Sequence, residues 1–260
     1  MGSEMCIRDR VWRAGGLVTL RTSNIKGHSL RAFLVIIGTF LFVSGLKYLP
    51  ITDAVAIAFA GPLFITALAP KFLGEQVGWR RWIAVLAGFM GIILIIRPGS
   101  DVFQWAALLP LAASLTGAFR DILTRGMSAT ETSEALLCYT SFGVVLAALI
   151  YSPSIWTPVS LENWGWFALG GLFIGSAHFL MIETYRYGEA VMVAPFKYSG
   201  VIWAAFLGYL IWNDVPNMST VFGIIIVVSA SLYILQRERL RQALQRKITK
   251  LSLIHISEPT

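Results

Sequence analysis

Charge is scarce in this chain. Only 13% of its 260 residues are Asp, Glu, Lys or Arg. A soluble domain of this length needs a polar stripe on nearly every element, and such a composition does not supply one. Cysteine is almost missing: Cys6 and Cys138 are the two. Cys138 stands alone without metal-ligand spacing, and the three histidines form no ligand set. No glycine-rich phosphate loop is present, which argues against ATP-driven pumping by this chain. Polar gaps long enough to hold a soluble catalytic domain are missing too.

What the chain has instead is apolar runs. The sequence is 56% hydrophobic, with a mean hydropathy of +0.69. Eight runs follow Arg31, each long enough for a hydrocarbon core of about 30 Å. They are Ala32–Leu49, Ala54–Leu73, Trp82–Ile96, Trp105–Leu123, Ala135–Tyr151, Trp164–Tyr185, Ala190–Trp212 and Val221–Leu235. Near-continuous apolar runs are helical spans, because a barrel strand alternates over about ten residues. The expected fold is therefore an all-α, polytopic helical membrane protein. Gly61-Pro62, Pro110 and Pro195 lie inside runs, where neighbouring helices can satisfy the freed backbone groups. Trp105, Trp156, Trp164 and Trp166 sit at run ends as interfacial anchors.

The two termini read differently. Met5-Cys6-Ile7-Arg8-Asp9 and Leu251-Ser252-Leu253-Ile254-His255-Ile256 can be encoded by one DNA word read on opposite strands. That word resembles the transposon end of a sequencing adapter. Residues 1–10 and 251–260 are therefore expected to be adapter-derived, and the natural protein longer. Without them Cys138 is the only cysteine, which leaves no intrachain disulfide. The remainder has 19 basic against 11 acidic side chains, or +8.

Those basic residues are unevenly placed. Arg13, Arg21, Lys26 and Arg31 precede the first run; Lys71, Arg80 and Arg81 lie at or just past the end of the second; Arg120 and Arg125 lie at or just past the end of the fourth; Arg186 follows the sixth. Arg237, Arg239, Arg241, Arg246, Lys247 and Lys250 crowd the tail, while the alternate gaps hold only Lys47 and Arg97. The positive-inside rule puts both termini in the cytoplasm. The same bias explains the net charge, together with attraction of the tail to anionic lipid, so no nucleic-acid partner is implied.

A shift of 139 residues aligns two regions without a gap. Lys47-Tyr48 meets Arg186-Tyr187, Phe59 meets Tyr198, Gly61 meets Gly200, Phe64 meets Trp203, Leu68 meets Leu207 and Glu75 meets Asp214. Five runs separate the copies, and five is odd. The copies are therefore expected to face opposite ways, as in transporters with inverted repeats around a midplane site. Chance likeness between apolar helices is the competing reading.

These stretches resemble the EamA-domain members of the drug/metabolite transporter superfamily. The matching residues run from Lys47-Tyr48-Leu49-Pro50-Ile51-Thr52-Asp53-Ala54 and Gly61-Pro62-Leu63-Phe64 to Leu73-Gly74-Glu75, Arg80-Arg81-Trp82, Gly88-Phe89-Met90-Gly91 and Arg97-Pro98-Gly99. In the second half they are Tyr185-Arg186-Tyr187-Gly188-Glu189-Ala190, Ala194-Pro195, Trp203, Gly208-Tyr209 and Asp214. The resemblance implies ten helices in two inverted five-helix repeats around a central cavity, of which eight remain here. It also implies transport of small metabolites such as amino acids, their derivatives or amphiphilic compounds. The expected division is residues 11–99 as an incomplete first repeat of three helices, 100–240 as a second repeat of five, and 241–250 as a basic cytoplasmic tail.

The candidate substrate-binding residues are Lys197, Tyr198, His178, Phe59 and Trp203. Lys197 lies seven residues into the seventh run, roughly 10 Å deep at 1.5 Å per residue, and an ionisable group there is a functional candidate by default. With Tyr198 beside it and Pro195 bending the helix, it suits an anionic or zwitterionic substrate. Snorkelling to the headgroups is its alternative. His178 can carry a coupling proton or bond between helices. Glu183 with Arg186, and Arg120 with Asp121, read as surface pairs of little energetic weight. Gly170-Gly171 with Gly175, and Gly88 with Gly91, read as close helix contacts. His28 reads as a loop residue.

A transporter is the leading function, with no cofactor and no metal; proton coupling and a homodimer stay open. An intramembrane hydrolase built on Ser176 and His178 fails on spacing, since helical residues two apart diverge. A structural or regulatory subunit predicts no central polar cavity. If the repeat is inverted, cysteines placed at Glu75 and Asp214 will react with an impermeant maleimide from opposite sides of the membrane. Labelling from one side only removes the symmetry.

Overall fold

The computed structural model describes residues 20–74, 78–96, 105–151, 158–188, 190–193, 196–197, 199–213, 215 and 217–256. Every regular element among them is helical: α1 (Ile25–Gly45), α2 (Ile51–Ala58), α3 (Gly61–Leu73), α4 (Trp79–Ile96), α5 (Leu108–Met127), α6 (Ser133–Tyr151), α7 (Leu161–Tyr187), α8 (Ala190–Val193), α9 (Ser199–Trp212) and α10 (Met218–Ile256). A 3₁₀ turn, Trp105–Ala107, leads into α5. Among the described residues seven segments are long and apolar enough to cross a bilayer. The chain is a polytopic helical membrane protein, and its outward faces carry large apolar side chains such as Phe173, Leu180 and Leu210.

The seventh expected span is not one helix. The run Ala190–Trp212 divides into α8 and α9; Pro195, expected to bend it, lies outside the described residues. The second span is also interrupted, at Phe59 and Ala60, and restarts at α3 with Pro62 in its first turn. Proline suits that position because its missing N–H would have had no helical partner. The first span starts seven residues earlier than its apolar run. Asn24 caps α1 by accepting a hydrogen bond from the Gly27 N–H at 3.0 Å, which carries the helix back through His28 and Arg31. His28 is therefore helical and buried, not in a loop.

The 139-residue shift reappears in the backbone. It carries α2's first residue, Ile51, onto Ala190, the first of α8, and carries α3's last residue, Leu73, onto Trp212, the last of α9. Gly74 and Asn213 follow those two helix ends, and they are the positive-φ residues of the described chain, at 68° and 53°. Each is a left-handed stop after its helix, a conformation that Gly adopts without strain and Asn tolerates. Packing agrees: α2 lies against α9, and α3 against α8. Only an antiparallel crossing of the two broken spans gives both contacts at once.

The same exchange holds where α4 meets α10. A Cβ on Gly91 would lie 2.9 Å from the Gly223 carbonyl oxygen, and one on Gly223 would lie 2.7 Å from that of Gly91. Ala84 and Ala230, each seven residues away, share the next core cluster. The shift maps Ala84 onto Gly223 and Gly91 onto Ala230, so the two contacts are images of each other. Small residues let the backbones touch. Gly88 joins them, packed on Leu63 of α3, but Gly170 and Gly171 do not: no described atom lies within 4 Å of a Cβ placed at either. Their expected close contact is absent among the described residues, because that face of α7 meets no described helix.

These contacts predict opposite outcomes for two substitutions. Gly223→Leu places its Cβ 2.4 Å from Ile95 Cγ1 and is expected to cost about 1–3 kcal/mol or more. It should read as a lower unfolding temperature of the detergent-solubilised protein. Gly171→Ala should leave that temperature unchanged.

Candidate functional site

Helix α1 is drawn onto its neighbours by two glycine contacts. A Cβ on Gly38 would meet Thr116 Oγ1 of α5 at 2.9 Å, and one on Gly143 of α6 would meet Ala32 Cβ at 2.7 Å. Between α1, the α2–α3 break and α5 a cavity of about 350 Å³ remains. Phe42, Val55 and Phe59 give it apolar walls, and Gly117 and Ala118 leave it room. Ser114 borders it too, but its hydroxyl donates to the Leu111 carbonyl of its own helix at 2.7 Å. Two cations, Arg120 and Lys197, complete the lining.

Both cations turn their charge toward one carboxylate. Asp121 is buried with 0% of its side chain accessible, against 17% for Arg120 and 28% for Lys197. Arg120 donates from Nε and Nη2 to Asp121 Oδ1 at 2.9 and 2.8 Å. Lys197 Nζ and the Tyr185 hydroxyl donate to Oδ2, the latter at 3.1 Å. The ammonium also lies 5.9 Å from the Tyr185 ring centroid, within cation–π range. Lys197 belongs to the link between α8 and α9, so this one carboxylate ties α5, α7 and the broken span together.

Beside the cluster lies Arg31, which is fully buried. Its Nε donates to Thr124 Oγ1 at 2.8 Å and its Nη1 to the Leu136 carbonyl at 2.7 Å and to Thr140 Oγ1. These partners are neutral. One turn further along α5, Arg125 donates to the carbonyls of Tyr185 and Arg186 at 2.9 and 3.2 Å. Arg186 in turn donates to the Glu131 carbonyl at 2.6 Å. The Glu131 carboxylate accepts from Thr22 Oγ1 at 2.9 Å and stands 3.4 Å from His28 Nε2. Together these bonds lace α1, α5 and α7 at one end of the bundle.

The sequence candidates divide. Lys197 and Phe59 both line the cavity, and Phe59 touches Gly200 of α9, where a Cβ would lie 3.3 Å from its Cζ. Tyr198 lies outside the described residues. His178 is half-buried and engages the Ile174 carbonyl of its own helix through Nδ1 at 3.1 Å; it does not line the cavity. Trp203 points outward, 63% exposed, with its ring edge-on to Phe206 at 6.4 Å. Arg120 and Asp121 are not the surface pair that their place near a run end suggested. The apolar run ends at Leu123, but α5 continues to Met127 and packs that segment against α1, α3 and α7. Arg186 bonds a carbonyl rather than forming the surface pair expected with Glu183. One signal for Asp121 was legible: a basic residue alone inside a span calls for a carboxylate in another.

The two halves each match one family. The EamA-like transporter family aligns with residues 17–97 and with residues 104–236. The chain belongs to that family. It is 30% identical over 238 residues to a S-adenosylmethionine uptake transporter of Rickettsia bellii, across 90% of this chain and 79% of that one. A riboflavin transporter of Rhizobium johnstonii is 32% identical over 234 residues, covering 87% and 76%. A solved crystal structure superposes with a TM-score of 0.65 at 19% identity, over 92% of this chain and 85% of its own, which supports the fold. An EamA-family chain of this kind is a membrane transporter of small molecules and not an enzyme.

Gly117 offers a clean test of the cavity in this EamA-family carrier. It lines the space, and no described atom lies within 4 Å of a Cβ placed on it. Gly117→Leu should fill the cavity with no loss of unfolding temperature and reduce transport at least about tenfold, since a misfitted site loses several kcal/mol of binding. Undiminished transport would put the substrate path elsewhere.

Proposed function

We propose that this chain is a secondary carrier that moves small metabolites across the bacterial inner membrane by alternating access. The observation that carries the reading is the cavity of about 350 Å³ with Arg120 and Lys197 in its wall, next to the antiparallel crossing of two broken spans. That volume falls in the range of small-ligand sites. Two cations suit a carboxylate, while Phe42, Phe59 and Val55 suit an apolar or planar body. Amino acids and their derivatives, or amphiphilic acids, have both parts. S-adenosylmethionine, which the Rickettsia relative takes up, offers one carboxylate and a purine but also an ammonium and a sulfonium, so it is a net cation; riboflavin offers a planar ring and no carboxylate. The charged wall favours a carboxylate-bearing cargo with no excess of positive charge of its own.

In this reading residues 11–99 and 100–240 act as opposed halves, with Lys197, Tyr198 and Phe59 at their shared site. Both termini are cytoplasmic: Arg31 and Arg81 prove to be buried and Arg120 partly so, yet the remaining basic residues keep the same bias. A structural subunit has no use for a cation-lined cavity, which counts against that alternative.

The test is uptake by liposomes containing the purified chain. Labelled S-adenosylmethionine, riboflavin and a panel of amino acids are offered with and without a pH gradient, and cross-linking in the same vesicles reports any homodimer. Uptake of a carboxylate-bearing compound is expected, and acceleration by the gradient would mark proton coupling. Lys197→Met should lower uptake about tenfold or more while leaving the amount of folded protein unchanged, since a cation in the wall contributes energy of that order. Unchanged uptake would leave Lys197 a structural partner of Asp121 only. No uptake of any compound would sink the carrier reading.

A further inference from the structure

We propose that Asp121 is the resident counter-anion of the site, and that it lets the carrier reorient when no substrate is bound. This rests on the carrier reading given above.

The geometry sets Asp121 apart from a substrate ligand. Its side chain has no accessible surface and is not part of the cavity lining. It sits behind the two cations, and each takes a different oxygen: Arg120 holds Oδ1, Lys197 and Tyr185 hold Oδ2. Its accepting capacity is thus used by the protein. The cations keep their other faces toward the cavity. A substrate carboxylate entering there would leave Arg120 and Lys197 sandwiched between two anions, one built in and one carried.

Charge counts follow directly. With Asp121 the empty site carries one positive charge, and with one bound net monoanion it carries none. Without Asp121 those values become two and one. Arg31 nearby adds a further positive charge whose described partners are Thr124, Leu136 and Thr140, all neutral. The other carboxylates with described partners are engaged elsewhere: Asp53 accepts from Thr220 at 2.7 Å, and Glu131 faces Thr22 and His28. Asp121 alone opposes the cation cluster among the described residues.

An alternating carrier must pass through a closed, dry state. Uncompensated charge is most costly there, because little water remains to screen it. Removing Asp121 therefore impairs the return of the empty carrier first. The loaded carrier brings its own anion and suffers less. Net uptake requires the empty return; exchange of labelled for unlabelled substrate does not.

The experiment compares these two modes in liposomes, using the best-transported compound of the panel that carries a net negative charge, such as labelled glutamate. Wild type should show both net uptake and exchange. Asp121→Ala should lose net uptake about tenfold or more, and several-fold more than it loses exchange, the scale set by leaving a buried charge unpaired. Sodium formate, which fits the space vacated by the carboxylate, should restore net uptake in this variant. Asp121→Glu keeps the charge and should keep both modes. If Asp121→Ala does not yield monodisperse protein, Asp121→Asn preserves the shape and is judged by the same ratio.

The proposal is overturned if net uptake and exchange fall together in folded variant protein, if net uptake survives, if formate changes nothing, or if wild type performs exchange only. Wild type that moves nothing in either mode would instead overturn the carrier reading itself.

Discussion

One buried carboxylate organises the interior of this protein. Asp121 receives Arg120 from its own helix, Tyr185 from α7 and Lys197 from the link between α8 and α9. A charge inside an apolar bundle is tolerable only when paired and hydrogen-bonded. That requirement fixes three elements relative to one another more strictly than apolar contact can, since greasy surfaces slide at little cost. It also determines where the cavity is charged: the cations lie between the carboxylate and the open space, so the wall facing a ligand is positive.

The second organising constraint is backbone hydrogen bonding away from water. A span that breaks in mid-membrane must bury its loosened segment in protein or line a wet cavity with it. Both breaks here do so. Phe59, at the first, lines the cavity and touches Gly200 on the far side of the crossing; Lys197, at the second, also lines the cavity. Interruption and site therefore coincide for a physical reason, and the repeat supplies the interruption twice.

Much of this was legible in the sequence. Apolar length alone located the spans, because a bilayer enforces it. The 139-residue shift, weak as residue identity, proved to mark equivalent helix ends and equivalent left-handed stops at Gly74 and Asn213. Lys197 stood out as the basic residue within a run. What the sequence hid were charges near run ends. A hydropathy profile treats Arg31, Arg120 and Asp121 as boundaries, since each lowers the local average. Whether such a residue faces water or a partner depends on which helices meet it, and that is a fact of packing. Trp203 shows the converse: its aligned partner Phe64 packs inside on Phe89, whereas Trp203 faces out.

The glycine contact between α4 and α10 has a mechanical meaning. Where Gly91 and Gly223 cross, main chain rests on main chain with no side chain between. Two rods touching at such a point cannot translate past each other without collision, yet they can tilt. In the carrier proposed above, such a contact would oppose sliding of α4 along α10 more than tilting.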